Sequence, residues 1–377
     1  MMIATLRETG NETRVAITPH TAKQYIKSGF NVAVEENAGC AAGFANEAYE
    51  QIGARIIKDR SSLLKQTNIL LCLNEPIPKD LEGLPQNTLI IGHFDNTPEE
   101  PLIPWCQKKQ ITLLSMNLIP RISRAQIMDS LSSQANLAGY KAVLEAVSAF
   151  HRVVPMMMTA AGMIQPAKVL VLGAGVAGLQ AIATAKRLGA IVYAFDVRRA
   201  AKEQVESLGA EFVEVNQDQD SEIQGGYASE SSEEYKQKQA ELIDDFAKRA
   251  DIVISTALIP GRKAPVLVYK KTVEQMKPGS VIVDLATSRG GNCELSERDK
   301  IIKHGEVTLI GLSNLAGLVP ATASELYANN LVHLINLLST KPSEIHFNPD
   351  DEIIQQAVLC HQGNYLPFQV AKENNHA

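Results

Sequence analysis

Three glycines and one acid carry the first chemical suggestion in this chain. Gly173, Gly175 and Gly178 stand in G-x-G-x-x-G spacing, and Asp196 follows 23 residues after Gly173. That set suits a dinucleotide. Gly173 permits a tight turn, Gly175 lets the main chain approach a pyrophosphate, and Gly178 lets a helix pack closely on a strand. A carboxylate at Asp196 can accept hydrogen bonds from an adenosine ribose and would repel a 2′-phosphate, which favours NAD(H) over NADP(H). Arg198 and Arg199 beside it temper that preference. A second set lies in residues 120–140, PRISRAQIMDSLSSQANLAGY, where Arg121, Arg124, Gln126, Asp129, Ser132 and Gln134 precede a long helical run. Arg121 and Asp129, eight residues apart, can pair across a bent loop. A Gln amide can bridge two ligand atoms. By themselves these residues read equally well as a solvated helix start with capping side chains.

The elements needed to position the first set occur in order. An apolar run at 169–172 is fit for a buried parallel strand. A helical stretch follows at 179–188 and closes at Gly189, a glycine placed for a C-cap. A second apolar run, 191–195, delivers Asp196. Strand, glycine turn, helix, strand and acid together say far more than the glycines alone, and a helix N-terminus there offers unpaired N–H groups to phosphate. Further strands are expected at 252–255, 281–285 and 308–310, alternating with helical runs as βαβ units require. Upstream, Thr18 and Pro19 form an N-cap and first helical position. Residues 31–35, 69–73, 88–91 and 111–114 read as strands, punctuated by Pro76, Pro78 and Pro85. Long helices are expected at 130–152 and 318–338.

The expected fold is α/β: two Rossmann-like domains with a cleft between them. The NAD-binding domain, 131–318, is inserted into a first domain made of 1–130 plus 319–377. No internal repeat at a fixed period is seen. Residues 216–238 are polar and serine-rich, with a Gly225–Gly226 pair, and read either as a surface loop or as a mobile lid. The tail, 372–377, is expected to be disordered.

Composition sets the limits. The 377 residues are 45% hydrophobic and 21% charged, as in a soluble globular protein, and allow two domains. A net charge of −6 without a basic stripe argues against nucleic acid as a partner. Five scattered cysteines, Cys40, Cys72, Cys106, Cys293 and Cys360, fit reduced thiols better than a disulfide framework, and Cys72 and Cys293 read as core residues. No His or Cys spacing suggests a metal site. The N-terminus lacks an apolar run of signal-peptide length. The uncharged stretch at 153–167 is broken by Pro155 and Pro166, so no transmembrane helix is expected.

Several motifs raise these readings to a resemblance. The 120–140 loop, MMMTAAG (156–162), GAGVAGLQAIATAKRLGA, KEQVESLGA (202–210), GGYA (225–228), TALIPG (256–261) and MKPGSVIVDLA (276–286) resemble the NAD(H)-binding domain I of proton-translocating NAD(P) transhydrogenase. This is the alpha-1 type subunit within the alanine dehydrogenase/transhydrogenase superfamily. The resemblance covers most of the chain. It implies that Arg121, Gln126, Asp129 and Ser132, with Ile127 and Met128 between them, cup the nicotinamide and serve the transfer step. It also implies that Gly173, Ala174, Gly175, Val176, Gly178, Asp196, Val197, Arg198, Gly226, Gln239 and Leu258 line the rest of the NAD(H) site, with Tyr227 on the lid. In that family, NADH bound here passes hydride, Re/Si-specifically, to NADP⁺ on a partner component. A membrane-embedded component couples transfer to proton movement, and domain I is a homodimer, inactive alone. A chain without membrane spans resembles the split-subunit form, cytoplasmic and held at the inner face of the membrane by its partners.

Alanine dehydrogenase is the rival, since it shares the fold. Arg14 in TRVAITP and His93 in IIGHF match positions where that family binds its keto acid and does acid–base work, and 314–320 (NLAGLVP) leans the same way. Reductive amination needs a placed acid–base group and a cation for the carboxylate. Alanine dehydrogenases carry Lys in K-x-K-E-P, where this chain has Cys72 in place of the first Lys, and Ser288 stands where an acid is expected after D-x-A. Transhydrogenation passes hydride from one C4 to another without a proton at the transfer centre, so positioning and water exclusion suffice. His93 therefore reads as structural, Arg14 as either a structural residue or a remnant of a carboxylate site. A catalytically silent NAD-sensing module is the third possibility.

Overall fold

Short aliphatic runs build two sheets. The computed structural model describes residues 1–95, 101–215, 233–258, 262–339, 341 and 343–366. Its strands, in chain order, are β1 (Met2–Thr5), β2 (Asn31–Glu35), β3 (Arg55–Ile57), β4 (Ile69–Leu71), β5 (Leu89–Gly92) and β6 (Thr112–Ser115). A hairpin follows, β7 (Met157–Thr159) and β8 (Gly162–Ile164). Then come β9 (Lys168–Leu172), β10 (Ile191–Phe195), β11 (Glu211–Phe212), β12 (Ile252–Ser255), β13 (Val281–Asp284), β14 (Ile301–His304) and β15 (Val307–Ile310). The last two are β16 (Val358–His361) and β17 (Asn364–Tyr365).

The chain divides into two units, one made of Met1–Gln134 with Gly317–Ala377, the other of Ala135–Ala316. Both are doubly wound. In the first the strand order is β17-β16-β6-β5-β4-β1-β2-β3, parallel from β3 through β6, with β16 antiparallel on β6. In the second it is β11-β10-β9-β12-β13-β15-β14, parallel except for β14. The fold class is thus α/β with two Rossmann-like sheets.

In each unit the first strand of the sheet lies centrally, where the strand order reverses. That reversal makes a crevice at the strands' carboxyl ends, which is where such sheets bind ligands. The central strands are buried on both faces, which is why β4, β5, β9, β12 and β13 read as unbroken apolar runs. Helix Pro19–Lys27 starts with a reciprocal capping box between Thr18 and Thr21. Helix Val176–Arg187 stops at Gly189, whose φ of +87° suits glycine.

Residues 153–167 differ from expectation in a specific way. Pro155 and Pro166 do prevent a helix, but the stretch between them forms the β7–β8 hairpin. No helix of the described residues is long and apolar enough to cross a membrane.

Candidate functional site

β9 leads into the glycine turn. Gly173 takes φ +98°, and its N–H donates to the Phe195 carbonyl at 2.8 Å, tying the turn to the end of β10. A side chain at Gly178 would strike the Gly173 carbonyl oxygen at 1.8 Å, so helix and turn are in direct contact. Gly175 is the opposite case: a Cβ there would meet nothing within 4 Å. It is also the N-cap of helix Val176–Arg187, and no side chain caps that end. Orphan N–H groups at the end of a long helix, beside open space over a glycine, fit a diphosphate.

Asp196 lies directly beyond β10. Its Oδ2 accepts the Ala174 N–H at 2.7 Å and its Oδ1 the Arg198 N–H at 2.8 Å. The Arg198 guanidinium adds two more bonds, Nε to Oδ1 at 3.0 Å and Nη2 to Oδ2 at 3.1 Å. Burial pushes the carboxyl pKa up, but the Arg198 fork and the two N–H groups outweigh it and hold the pKa below the usual carboxylate range. All four lone-pair directions of the carboxylate are therefore engaged. Asp196 can take a ribose only if Arg198 lets go, and Arg198, 62% exposed, is free to swing. Val197, 70% exposed, and Gln239 line the same pocket as Asp196. Leu258, with Ala138, Ala177 and Leu285, lines an apolar cavity of 140 Å³ in the same unit. Ala257, next to Leu258, is clasped by the buried Asn292 side chain through both its N–H (3.0 Å) and its carbonyl (2.8 Å). Gly226, Tyr227 and the rest of 216–232 lie outside the described residues, whereas 233–238, expected to belong to a loop or lid, begin the helix Glu233–Arg249.

The second set belongs to the first unit. Arg121 and Gln126 are exposed, as is Ile127, while Met128 points into the core and could meet a ligand only through its main chain. The Arg121–Asp129 pairing that the spacing allows is not formed. Asp129 instead accepts the Ser132 N–H at 2.9 Å and the Ser132 hydroxyl at 2.6 Å, capping the helix Ser130–Ala149. Arg124 turns away to a two-pronged ion pair with Asp351, at 2.8 and 2.9 Å.

Arg14 and His93 are both occupied. Arg14 is buried and donates from Nε and Nη2 to Glu12, each at 2.7 Å, and from Nη1 to the Gln134 side-chain Oε1 at 2.7 Å. Burial raises the Glu12 pKa, but Arg14 more than offsets that and brings it to about 2. The His93 Nε2 lies 2.7 Å from the Ser130 hydroxyl, and the ring packs on Tyr327 with centroids 4.9 Å apart. Burial, reinforced by the Arg14 cation, lowers the His93 pKa to about 3, so the ring is neutral at physiological pH. Glu8 had no signal in the sequence. Burial pushes its carboxyl up to about 7, against the Leu73 and Asn74 N–H groups, which donate to it at 2.6 and 3.3 Å.

Comparison with known proteins gives the family and relatives that share the fold. Residues 4–138 match the family model for the alanine dehydrogenase/PNT N-terminal domain, and 142–367 match that for the alanine dehydrogenase/PNT C-terminal domain. The first-segment polypeptide of NAD(P) transhydrogenase subunit alpha from Rickettsia prowazekii (strain Madrid E) is 45% identical over 99% of this chain and 98% of its own. A transhydrogenase structure from Sinorhizobium meliloti superposes with a TM-score of 0.88 at 43% identity, over 97% of this chain and all (100%) of that one. An L-alanine dehydrogenase structure shares the fold, with a TM-score of 0.80 over 97% of each chain, at only 24% identity. The chain belongs to the alanine dehydrogenase/PNT family, and within it to the NAD(P) transhydrogenase alpha subunits.

Proposed function

We propose that this chain is the NAD(H)-binding component of a proton-translocating transhydrogenase. In this reading it presents NADH to NADP⁺ held on a partner component, while a membrane-embedded component couples transfer to proton movement and keeps the chain at the inner face of the membrane. The observation that carries the reading is the state of Arg14 and His93. The guanidinium that would hold an oxo-acid carboxylate is spent on Glu12 and Gln134, and the histidine that would move a proton has its pKa pushed down to about 3 by burial and its Nε2 tied to Ser130. A dehydrogenase acting on an amino acid needs both groups available.

NADH, when bound, supplies the hydride. The residues do the remainder by placement. The Gly175 N-cap and the first turn of its helix hold the diphosphate. Asp196 takes the adenosine ribose once Arg198 releases it, and Val176, Val197, Gln239 and Leu258 supply contacts around the nucleotide. Arg121, Gln126, Asp129 and Ser132 hold the nicotinamide end, with Gln126 setting the ring's orientation. None of them is asked to transfer a proton. The homodimer finds support in the β7–β8 hairpin, where Met157, Met158, Met163 and Ile164 are 42–79% exposed. That is an apolar surface a second copy would cover.

Purified alone, the chain should bind NADH and oxidise it with neither pyruvate plus ammonium nor free NADP⁺. Addition of an NADP(H)-binding transhydrogenase component should produce hydride transfer between nucleotides. Oxidation of NADH dependent on pyruvate and ammonium would overturn the proposal in favour of an amino-acid dehydrogenase. Silence with the partner present would leave a sensor.

A further inference from the structure

The segment bearing Gln126, Asp129 and Ser132 is a 3₁₀ turn, Ser123–Met128, that passes into the helix Ser130–Ala149, with Asp129 N–H donating to the Gln126 carbonyl at 3.2 Å where the two meet. Two side chains from elsewhere in the same unit grip it, Asn330 buried and His93 half-buried. Asn330, on helix Pro320–Leu338 and 8% exposed, donates from Nδ2 to the Ile127 carbonyl at 2.8 Å and accepts the Ser133 hydroxyl on Oδ1 at 2.9 Å. The amide can face only one way, because the Ile127 carbonyl requires a donor. His93 meets the Ser130 hydroxyl at 2.7 Å from the other direction. The histidine is itself immobilised: its main-chain N–H donates to the Leu73 carbonyl at 2.9 Å, and its ring lies on Tyr327, whose hydroxyl donates to the Cys72 carbonyl at 2.7 Å. Each residue therefore links the segment to a rigid element, one to a helix and one to the end of β5.

We propose that His93 and Asn330 are positioning residues for hydride transfer, two struts that fix the 127–133 segment and through it Gln126, Asp129 and Ser132. The inference rests on the reading of that segment as the nicotinamide holder. It assigns His93 a task that is neither acid–base chemistry nor general core packing. Displacement of reacting atoms by about 1 Å is enough to slow a reaction by around 100-fold, and a segment released from either strut has that freedom.

The test uses His93→Ala, Asn330→Ala and Ser130→Ala in the full chain, the last removing only the hydroxyl that His93 holds. Amide hydrogen exchange across 127–133 should accelerate in all three, with the nucleotide turn around Gly173 unchanged. Reconstituted with an NADP(H)-binding component, they should lose about 10–100-fold in kcat, with KM for NADH within about twofold of the parent. His93→Gln, which can still reach the Ser130 hydroxyl, should recover much of the rate. Asn330→Asp, which lacks the donor for the Ile127 carbonyl, should not. Unchanged exchange across 127–133 overturns the proposal, as does a change confined to KM. If the parent protein itself shows no transfer with its partner, the functional reading fails. The exchange measurement then still decides whether the struts exist. Should His93→Ala fail to fold, Ser130→Ala breaks the same link.

Discussion

Asp196 offers the most quantitative expectation. Four N–H bonds converge on its carboxylate, two from main-chain groups of Ala174 and Arg198 and two from the Arg198 guanidinium. Only the guanidinium pair can be exchanged for ribose hydroxyls, since the main-chain donors are fixed by the turn. The exposed ion pair is worth no more than about 1 kcal/mol, whereas hydroxyl bonds to a carboxylate contribute about 1.5–3 kcal/mol. In Asp196→Asn the side chain keeps its shape and one acceptor oxygen but loses the charge, and its NH₂ group opposes one of the main-chain donors. NADH binding should weaken by about 1–3 kcal/mol, which is a 5–150-fold rise in Kd by calorimetric titration. Arg198→Met removes the competitor and should change Kd by less than about fivefold. The pH dependence follows from the same contacts. The folded carboxyl pKa lies below its unfolded value of about 3.9, so the Asp196 contribution to stability is complete above about pH 4. It fades as pH falls through the folded value. An Asp196→Asn protein with unchanged Kd for NADH would refute the assignment of Asp196 to the ribose.

Four further expectations follow from individual contacts. Gly178→Ala places a Cβ 1.8 Å from the Gly173 main-chain carbonyl oxygen and should destabilise by about 2–4 kcal/mol in urea unfolding; a loss under about 0.5 kcal/mol would mean the turn relaxes easily. Glu8 has a folded pKa of about 7, above its unfolded value, so it takes up protons on folding and stability falls as pH rises between about 4 and 7. Glu8→Gln should therefore match the parent's melting temperature near pH 4 and exceed it at about pH 8; equal values at both would place Glu8 outside that balance. Gln126→Asn should leave NADH affinity nearly unchanged but slow reconstituted transfer by an order of magnitude or more, and a large rise in Kd with a normal rate would remove its orienting role. Met158, 79% exposed on the hairpin, should tolerate Asp without loss of fold while the proposed dimer, present in the parent, dissociates in sedimentation; a persisting dimer would move the interface elsewhere.

Local chemistry is legible where it is local. The 168–196 stretch declares a βαβ unit because apolar run, glycine turn and acid are adjacent in sequence, and β9, helix Val176–Arg187 and β10 follow that order. Thr18 and Pro19 mark a helix start for the same reason, since a cap is satisfied within one turn. The β7–β8 hairpin is not legible. Its residues are exposed on both strands, so no alternation of apolar and polar residues betrays a strand. β1 escapes a sequence reading because four residues at a chain start carry too little pattern, although it pairs with both β2 and β4 near the middle of its sheet.

The sequence by itself determined the α/β class and the dinucleotide motif, because hydrophobic period, turn glycines and motif spacing are properties of neighbouring residues; the family came from the resemblance of its motifs. Only the tertiary structure decided which polar groups remain available. Arg14 is spent on Gln134, 120 positions away, and Asn330 holds Ile127 across 203. Even the Asp196–Arg198 pair, two residues apart, depends on a rotamer that the spacing leaves open. A side chain's donors and acceptors are committed by whatever packing brings within about 3 Å, and that is settled after the chain has folded.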